Sequence, residues 1–358
     1  MIGPAIKYLS VLTIPATALV AFHSGGWLSY LPVLYAFGLV PLFELLLAPD
    51  PRNLTEAEAL RKSLDPGYDI PLYLAIAIQY FCLFFFLGSI TEVGLDASTL
   101  IGRTLSMGIL CGILGINVAH ELGHRPGKGD QFLSKLLLLS SMYMHFNIEH
   151  NRGHHKHVST DDDPASARFG ESVYGFWARS IVYSYLSAWR LEAERLRKKK
   201  LPVTSLHNEM IVFQIAQLLL TIAITIFYGF TGLIYFLAAA MIGILLLETV
   251  NYIEHYGLRR KRRAEGGFER VMPHHSWNSD HLLGRLMLFE LSRHSDHHYI
   301  ASRKYQTLRH YDKSPQMPTG YPGMMLLSLV PPLWFWIMHR QIDRFQAIAN
   351  TDGGAAIN

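Results

Sequence analysis

Histidine is concentrated in four short stretches of this sequence, at spacings that suit metal binding. The stretches are HELGH with His120 and His124, EHNRGHH with His150, His154 and His155, NYIEHYGL with His255, and RHSDHH with His294, His297 and His298. Residues three or four apart share one face of an α-helix, so His120 and His124 can hold one ion, and so can the RHSDHH triplet. If EHNRGHH is helical, His150 and His154 share a face, whereas His155 points away and can reach a second ion.

The number of imidazoles predicts two ions. A single ion rarely takes more than about six ligands, and imidazole suits iron, zinc and copper, so the residues alone do not choose the metal. Histidines that bind metal usually donate their second ring N–H to an acceptor such as a carboxylate. The carboxylates close to these histidines in sequence are Glu121, Glu149, Glu254, Asp161, Asp163 and Asp296.

The composition is that of a membrane protein. Half of the chain is hydrophobic and only 17% is charged, against about 25% in ordinary soluble proteins. The formal net charge of +4 predicts no nucleic-acid partner. The chain has two cysteines, Cys82 and Cys111, and both lie in apolar runs. They cannot build a disulfide framework or a cysteine-based metal site.

Apolar stretches long enough to cross a bilayer predict an all-α integral membrane protein with six transmembrane helices. The predicted spans cover about residues 5–23, 27–48, 70–91, 99–119, 209–229 and 231–252. The loops at 23–26, 91–98 and 229–232 contain no lysine or arginine, whereas the other connections are rich in both. The positive-inside rule therefore places both termini in the cytoplasm, N-in and C-in.

The polar remainder predicts a cytoplasmic, histidine-rich helical cap made of residues 120–207 and 255–345. Together with the spans it forms a single domain, 1–345, followed by a flexible tail, 346–358. Within the cap, Phe132–Phe146 is apolar but too short to span and predicts a buried or interfacial helix. Met324–Met338, interrupted by Pro331 and Pro332, is expected to pack on the membrane face.

Two other classes of protein fit part of this pattern. HELGH matches the H-E-x-x-H zinc motif, in which His120 and His124 would bind zinc and Glu121 would act as the general base of a membrane zinc protease. That reading leaves the two histidine triplets unexplained. A metal transporter would carry its ligands at mid-membrane, but the predicted spans have histidine only at their ends.

The four histidine stretches together resemble those of the bacterial membrane alkane monooxygenases, the non-haem di-iron alkane hydroxylases. The three boxes HELGH, EHNRGHH and RHSDHH are shared with the wider superfamily of membrane fatty-acid desaturases and hydroxylases. NYIEHYGL is the more specific mark of alkane and related xylene hydroxylases. The resemblance covers nearly the whole chain. It implies two iron ions held by the nine histidines, O2 as co-substrate, and hydroxylation of the terminal methyl of n-alkanes to 1-alkanols. A xylene or fatty-acid omega hydroxylase or a desaturase is the alternative.

The same resemblance implies electrons from rubredoxin, with an NADH-dependent rubredoxin reductase upstream, and a location in the bacterial inner membrane with the active site on the cytoplasmic side. A linear alkane partitions among membrane lipids, and burial of each CH2 contributes about 0.8 kcal/mol. We therefore expect an apolar cleft between the first four spans, opening toward the metals. The basic run Arg259, Arg260, Lys261, Arg262 and Arg263 is a candidate docking site for an acidic electron carrier. The alternative role of this run is contact with anionic headgroups.

Overall fold

The computed structural model describes residues 3–354, and its regular secondary structure in that range is helical. Two isolated β-bridges, Arg262 with Phe268 and Asn278 with Gln316, occur outside the helices. The predicted all-α class is confirmed. The helices are α1 (Ala5–His23), α2 (Gly26–Leu46), α3 (Glu56–Leu64), α4 (Pro66–Ile90), α5 (Ala97–Gly123), α6 (Lys128–Ser140), α7 (the consecutive segments Phe146–Glu149, His150–His154 and His155–His157), α8 (Val173–Lys198), α9 (Glu209–His255), α10 (Leu282–Met287), α11 (His294–Tyr299), α12 (Tyr321–Ser328) and α13 (Pro331–Gly354).

Five of these helices, α1, α2, α4, α5 and α9, are long and apolar enough to cross a membrane. Many of their large apolar side chains are exposed, such as Phe81 and Phe227. Such extensive apolar exposure is unusual for a soluble protein. These are the properties of a membrane protein.

Helix α9 is 47 residues long and is interrupted at Gly229, whose φ of 69° and ψ of −178° are not helical. A straight helix of this length would extend about 70 Å. Both of its ends nevertheless meet α7. Glu209 accepts a hydrogen bond from Arg152 at 2.9 Å, and the ring of His255 lies 4.9 Å from that of His154. The helix therefore folds back at Gly229 as a hairpin.

Local capping explains where several helices begin. Asp96 accepts from the backbone N–H of Thr99 at the start of α5, and Ser172 accepts from Gly175 at the start of α8. Asn208 does the same for Met210 at the start of α9. Each side chain satisfies a backbone donor that the first helical turn leaves free.

Small residues bring α5 and the second half of α9 into close contact. A Cβ atom at Gly243 would lie 2.6 Å from Cβ of Cys111, and one at Gly108 would lie 2.4 Å from Ile242. Glycine permits such approach between membrane helices. This contact also aligns the two helices, so that His120 and His255 emerge near the same end of the pair. Cys82 and Cys111 are buried and unpaired, as predicted.

Three helices contain a π-helical turn, over Tyr35–Leu39, Cys111–Asn117 and His150–His154. Such turns are rare and occur often at functional sites. The predicted short helix at Phe132–Phe146 is confirmed only up to Ser140, where α6 ends. Residues 141–145 form turns before α7 begins at Phe146. Helices α12 and α13 flank the interruption before Pro331. Within the predicted tail, residues up to Gly354 continue α13, and 355–358 lie outside the described residues.

Candidate metal centre

Five histidines place their Nε2 atoms in a closed ring. The ring runs from His120 to His124 (3.2 Å), His150 (3.1 Å), His155 (3.0 Å) and His297 (3.1 Å), and back to His120 (3.0 Å). The side chains come from α5, α7 and α11, and three of the five residues are fully buried.

Hydrogen bonds alone cannot satisfy such a ring. Each Nε2 carries either one proton or one lone pair, yet each approaches two other nitrogens. A cation at the centre resolves the conflict. Two nitrogens bound at right angles to one first-row metal ion, each at about 2.1 Å, are about 3.0 Å apart. The observed separations fit that geometry, so the ring suits a metal ion.

The other four histidines, His154, His255, His294 and His298, form a second, fully buried group. The Nε2 atoms of His255 and His294 are 3.2 Å apart. His154 Nε2 and both ring nitrogens of His298 are buried without a hydrogen-bond partner among the described residues. Buried polar atoms left unpaired are costly, and a second metal ion would use them.

The nine predicted histidines thus converge, but their division differs from the expected one. His155 joins His150, and His154 goes to the second group. The cause is the π-helical turn of α7, in which the N–H of His155 bonds to the carbonyl of His150, five residues earlier. The wider turn brings residues five apart onto one side. The RHSDHH triplet, expected to share one face, also divides, because His297 belongs to the first group and His294 and His298 belong to the second.

Six of the nine imidazoles lie outside the long helices and have a lowered pKa, which favours the neutral form that binds metal. Burial lowers the pKa of His124 to about 3, with a further contribution from the charge of His154. Burial, reinforced by neighbouring imidazoles, also lowers the pKa of five other histidines of the two groups that lie outside the long helices. These are His150, His155, His294, His297 and His298.

Two of the predicted carboxylates contact imidazoles. Asp163 lies 2.9 Å from Nδ1 of His154, the nitrogen opposite the metal-facing Nε2. Burial alone would raise the pKa of Asp163, but the charge of His154 and hydrogen bonds from His154 and Ser166 lower it below its usual range. Glu254 instead lies 3.1 Å from Nε2 of His294 and accepts from Tyr321 at 2.8 Å. It therefore stands on the metal-facing side of that ring, where a ligand would stand.

The other predicted carboxylates have different surroundings. Asp161 is 3.8 Å from Arg259, and Asp296 accepts from Arg303 at 2.7 Å. Glu149 is buried and lines a small polar cavity beside His150 and His154. These contacts do not orient an imidazole.

The zinc-protease reading depends on Glu121 facing the metal. Glu121 instead lies 3.3 Å from Arg125, which also contacts Asp69 at 2.8 Å. His120 and His124 share their site with three other imidazoles, whereas a zinc protease uses about three protein ligands and one open position. The geometry therefore opposes this alternative.

A third cluster, Glu269 with His274 and His275, lies outside the centre. His275 Nε2 is 3.2 Å from Glu269, and its Nδ1 accepts from the N–H of Met272 at 3.0 Å. With Nδ1 accepting, the neutral ring carries its proton on Nε2, which then donates to Glu269. The hydrogen bonds of this imidazole are complete without a metal ion.

An apolar cavity reaches the histidines His120, His150 and His294, which form part of its lining. Its walls come from α1, α2, α5, the second half of α9 and the cap, through residues such as Ile14, Phe37, Ile109 and Leu246. Helix α4 contributes no wall residue in the described chain, so the expected cleft between the first four spans is wrong in this respect. The second half of α9 takes its place.

Two polar residues in this wall were not singled out in the sequence. Asn117 precedes His120 by one helical turn, and Asn251 precedes His255 by one turn. Asn251 Nδ2 lies 3.3 Å from Glu248, which accepts from Tyr143 at 2.8 Å. A signal was available, because both asparagines lie four or fewer residues before a histidine in otherwise apolar runs.

The basic run after His255 divides into two parts. Arg260 is held in place by the carbonyls of Lys156 and Glu269. Arg259, Lys261, Arg262 and Arg263 are exposed. Arg259 lies 3.8 Å from Asp161, and Arg262 stacks over Phe268 at 5.3 Å.

Known proteins of two kinds match the chain. A family model described as fatty acid desaturase matches residues 97–339. Alkane 1-monooxygenase 1 of Pseudomonas aeruginosa is 43% identical over 91% of this chain and 85% of that protein. Alkane 1-monooxygenase 2 of the same organism is 41% identical over 96% and 93%. The hydroxylase component of a xylene/toluene monooxygenase from Pseudomonas putida is only 27% identical over 92% and 86%.

Proposed function

The chain belongs to the alkane 1-monooxygenases, within the wider fatty acid desaturase family, and on that basis we propose how its residues carry out the reaction. The enzyme is a membrane-bound monooxygenase that hydroxylates the terminal methyl group of n-alkanes to 1-alkanols. One oxygen atom of O2 enters the C–H bond. The other leaves as water, formed with two electrons and two protons from outside the substrate.

Two iron ions occupy the centre in this proposal. The first is held by the five-histidine ring, and the second by the remaining four histidines with the carboxylate of Glu254 as a further ligand. The closed ring of Nε2 atoms is the observation that carries the proposal. When bound, iron supplies the activation of O2. Asp163 holds the His154 ring in its ligating orientation.

The cavity determines which carbon reacts. Its apolar walls give an alkane no hydrogen bond, so binding comes from burial of CH2 groups, about 0.8 kcal/mol each. Since His120, His150 and His294 line the cavity, a chain that enters end-on toward them presents its terminal methyl to the centre. The same walls exclude water from the reacting carbon.

The hairpin of α9 supports six membrane spans. The whole helix has 47 residues, and each of its two halves is long enough to cross about 30 Å of hydrocarbon. The charge distribution of the loops supports N-in and C-in. We place the protein in the bacterial inner membrane, with the histidine-rich cap and the metal centre at the cytoplasmic face. The alkane enters from the surrounding lipids.

Electrons come from a soluble carrier. We assign this role to rubredoxin, reduced by an NADH-dependent reductase, which docks on the exposed cations Lys261, Arg262 and Arg263. This patch follows His255 closely in the chain. Opposite charge on an acidic carrier raises its rate of encounter.

Iron content and product analysis test the proposal together. Purified protein should contain two irons per chain and convert n-decane to 1-decanol with reduced rubredoxin. His255→Ala should lose iron from the second group and lose hydroxylation, while it still inserts into the membrane. His207→Ala, a change of an exposed histidine away from the centre, is the matched control. Zinc in place of iron, or full activity in His255→Ala, would overturn the assignment.

A further inference from the structure

Asn117 is a polar residue in the apolar wall of the main cavity. It ends the π-helical turn Cys111–Asn117 and lines the cavity together with His120, one turn later. Only 7% of its surface is exposed. Its neighbours on the same wall of α5 are Ile109, Gly112 and Ile113.

The amide nitrogen of Asn117 is buried and has no hydrogen-bond partner among the described residues. The other asparagine of the wall, Asn251, is different because its amide nitrogen faces Glu248 at 3.3 Å. A buried donor left unpaired costs about 1–3 kcal/mol. An n-alkane has no acceptor and cannot relieve that cost, so the alkane does not explain the residue.

The alcohol product does have an acceptor, at the end of the molecule that lies by the histidines. We propose that Asn117 Nδ2 donates a hydrogen bond to the hydroxyl oxygen of a 1-alkanol bound in this cavity. The inference rests on the proposed function, which places the terminal carbon beside His120. Asn117 then makes the cavity distinguish a primary alkanol from the alkane of equal length, and it holds the product after the oxygen has been inserted.

The test compares the binding of 1-decanol and n-decane to the purified, iron-loaded protein without an electron donor, by equilibrium dialysis of the labelled compounds. Asn117→Leu keeps a similar shape and removes the donor. One neutral hydrogen bond is worth about 0.5–1.5 kcal/mol. The Kd of 1-decanol should therefore rise about 2- to 12-fold. The Kd of n-decane should stay the same or fall, because leucine is apolar.

Ile113→Leu is the matched control, because it alters the same wall of α5 without touching a donor. It should shift both ligands by the same factor. Asn117→Ala repeats the test with a smaller side chain if the leucine variant is not recovered. Equal shifts for alkanol and alkane in the Asn117 variants, or no shift in either, would overturn the inference.

Turnover of the wild-type protein separates this inference from the proposed function. If wild type hydroxylates n-decane but Asn117→Leu binds 1-decanol unchanged, only the role of Asn117 is wrong. If the wild-type protein does not hydroxylate n-decane, but Asn117→Leu binds 1-decanol more weakly than wild type does, the alkanol site stands and the proposed reaction fails.

Discussion

The carboxylate of Asp163 contacts the imidazole of His154 and is not itself a proposed metal ligand. It lies 2.9 Å from Nδ1 of His154 and also accepts from Ser166 and from the backbone N–H of Ala165. These bonds fix the orientation of the carboxylate, and the carboxylate fixes the tautomer of the imidazole. A ligand held in this way binds metal more tightly.

Asp163→Asn should therefore weaken metal binding without removing a ligand. Loss of such a partner typically lowers metal affinity about 10- to 100-fold. Iron retained after dialysis against graded chelator concentrations measures the effect. Asp161→Asn, two residues earlier and paired only loosely with Arg259 at 3.8 Å, is the control and should retain iron like wild type. Equal iron retention in wild type and Asp163→Asn would contradict the role.

Residue type and spacing were sufficient to find the nine histidines, because histidine is an uncommon residue and its clustering is visible in the sequence. Their division between two groups was not predictable in the same way. Helical spacing separates His150 from His155, and only the π-helical turn brings their Nε2 atoms to 3.0 Å. The position of Glu254 beside a metal-facing nitrogen depends likewise on how α9 meets α11.

The length of the cavity is set by the helices around it. Along α5, wall residues extend from His120 back to Ile109, a distance of about 16 Å at 1.5 Å per residue. Ile109 is buried and is the wall residue of α5 farthest from the centre. We therefore expect it to limit the alkane length.

Ile109→Ala should shift the preference toward longer alkanes. Each further CH2 that the cavity buries contributes about 0.8 kcal/mol, so kcat/KM should rise up to about fourfold per added CH2. The ratio of n-hexadecane to n-decane turnover measures the shift. Ile101→Ala on the same helix changes an exposed residue and should leave that ratio unaltered. A uniform loss of activity at all lengths would indicate a packing role.

The long helices were predictable because hydrocarbon demands about 20 apolar residues per span, and α1, α2, α4, α5 and α9 follow the apolar runs closely. The residues that form the cavity walls were not predictable from the apolar runs. The contact between Gly243 and Cys111 and the fold-back at Gly229 depend on tertiary packing. The sequence therefore predicts that α4 lines the cavity, whereas in the structure the second half of α9 takes that position.

At the scale of the whole molecule, the electron carrier must meet the protein beside the centre. Lys261→Gln, Arg262→Gln and Arg263→Gln combined should raise the rubredoxin concentration for half-maximal turnover and flatten its dependence on salt, because charge steers encounter. Activity with a small chemical reductant should not change. Arg260 is left unchanged in this variant, because it donates hydrogen bonds to the carbonyls of Lys156 and Glu269.

A control with equal loss of charge uses Lys198, Lys199 and Lys200 at the end of α8, each changed to glutamine. Those exposed cations should leave the rubredoxin dependence unaltered. If both triple variants behave alike, the basic run after His255 serves the membrane headgroups and the carrier docks elsewhere.

With a metal ion bound, the ring of five imidazoles would also act as a cross-link. His120 and His297 are 177 residues apart in the chain, and their Nε2 atoms are 3.0 Å apart. An ion between them closes a long loop, and such closure restricts the unfolded chain most when the loop is long. During synthesis the ring stays incomplete until the segment with His297 has left the ribosome, after all of α1 to α9 has been synthesised. We therefore expect metal capture to be a late step of assembly, and a chain that stops before α11 to lack this cross-link.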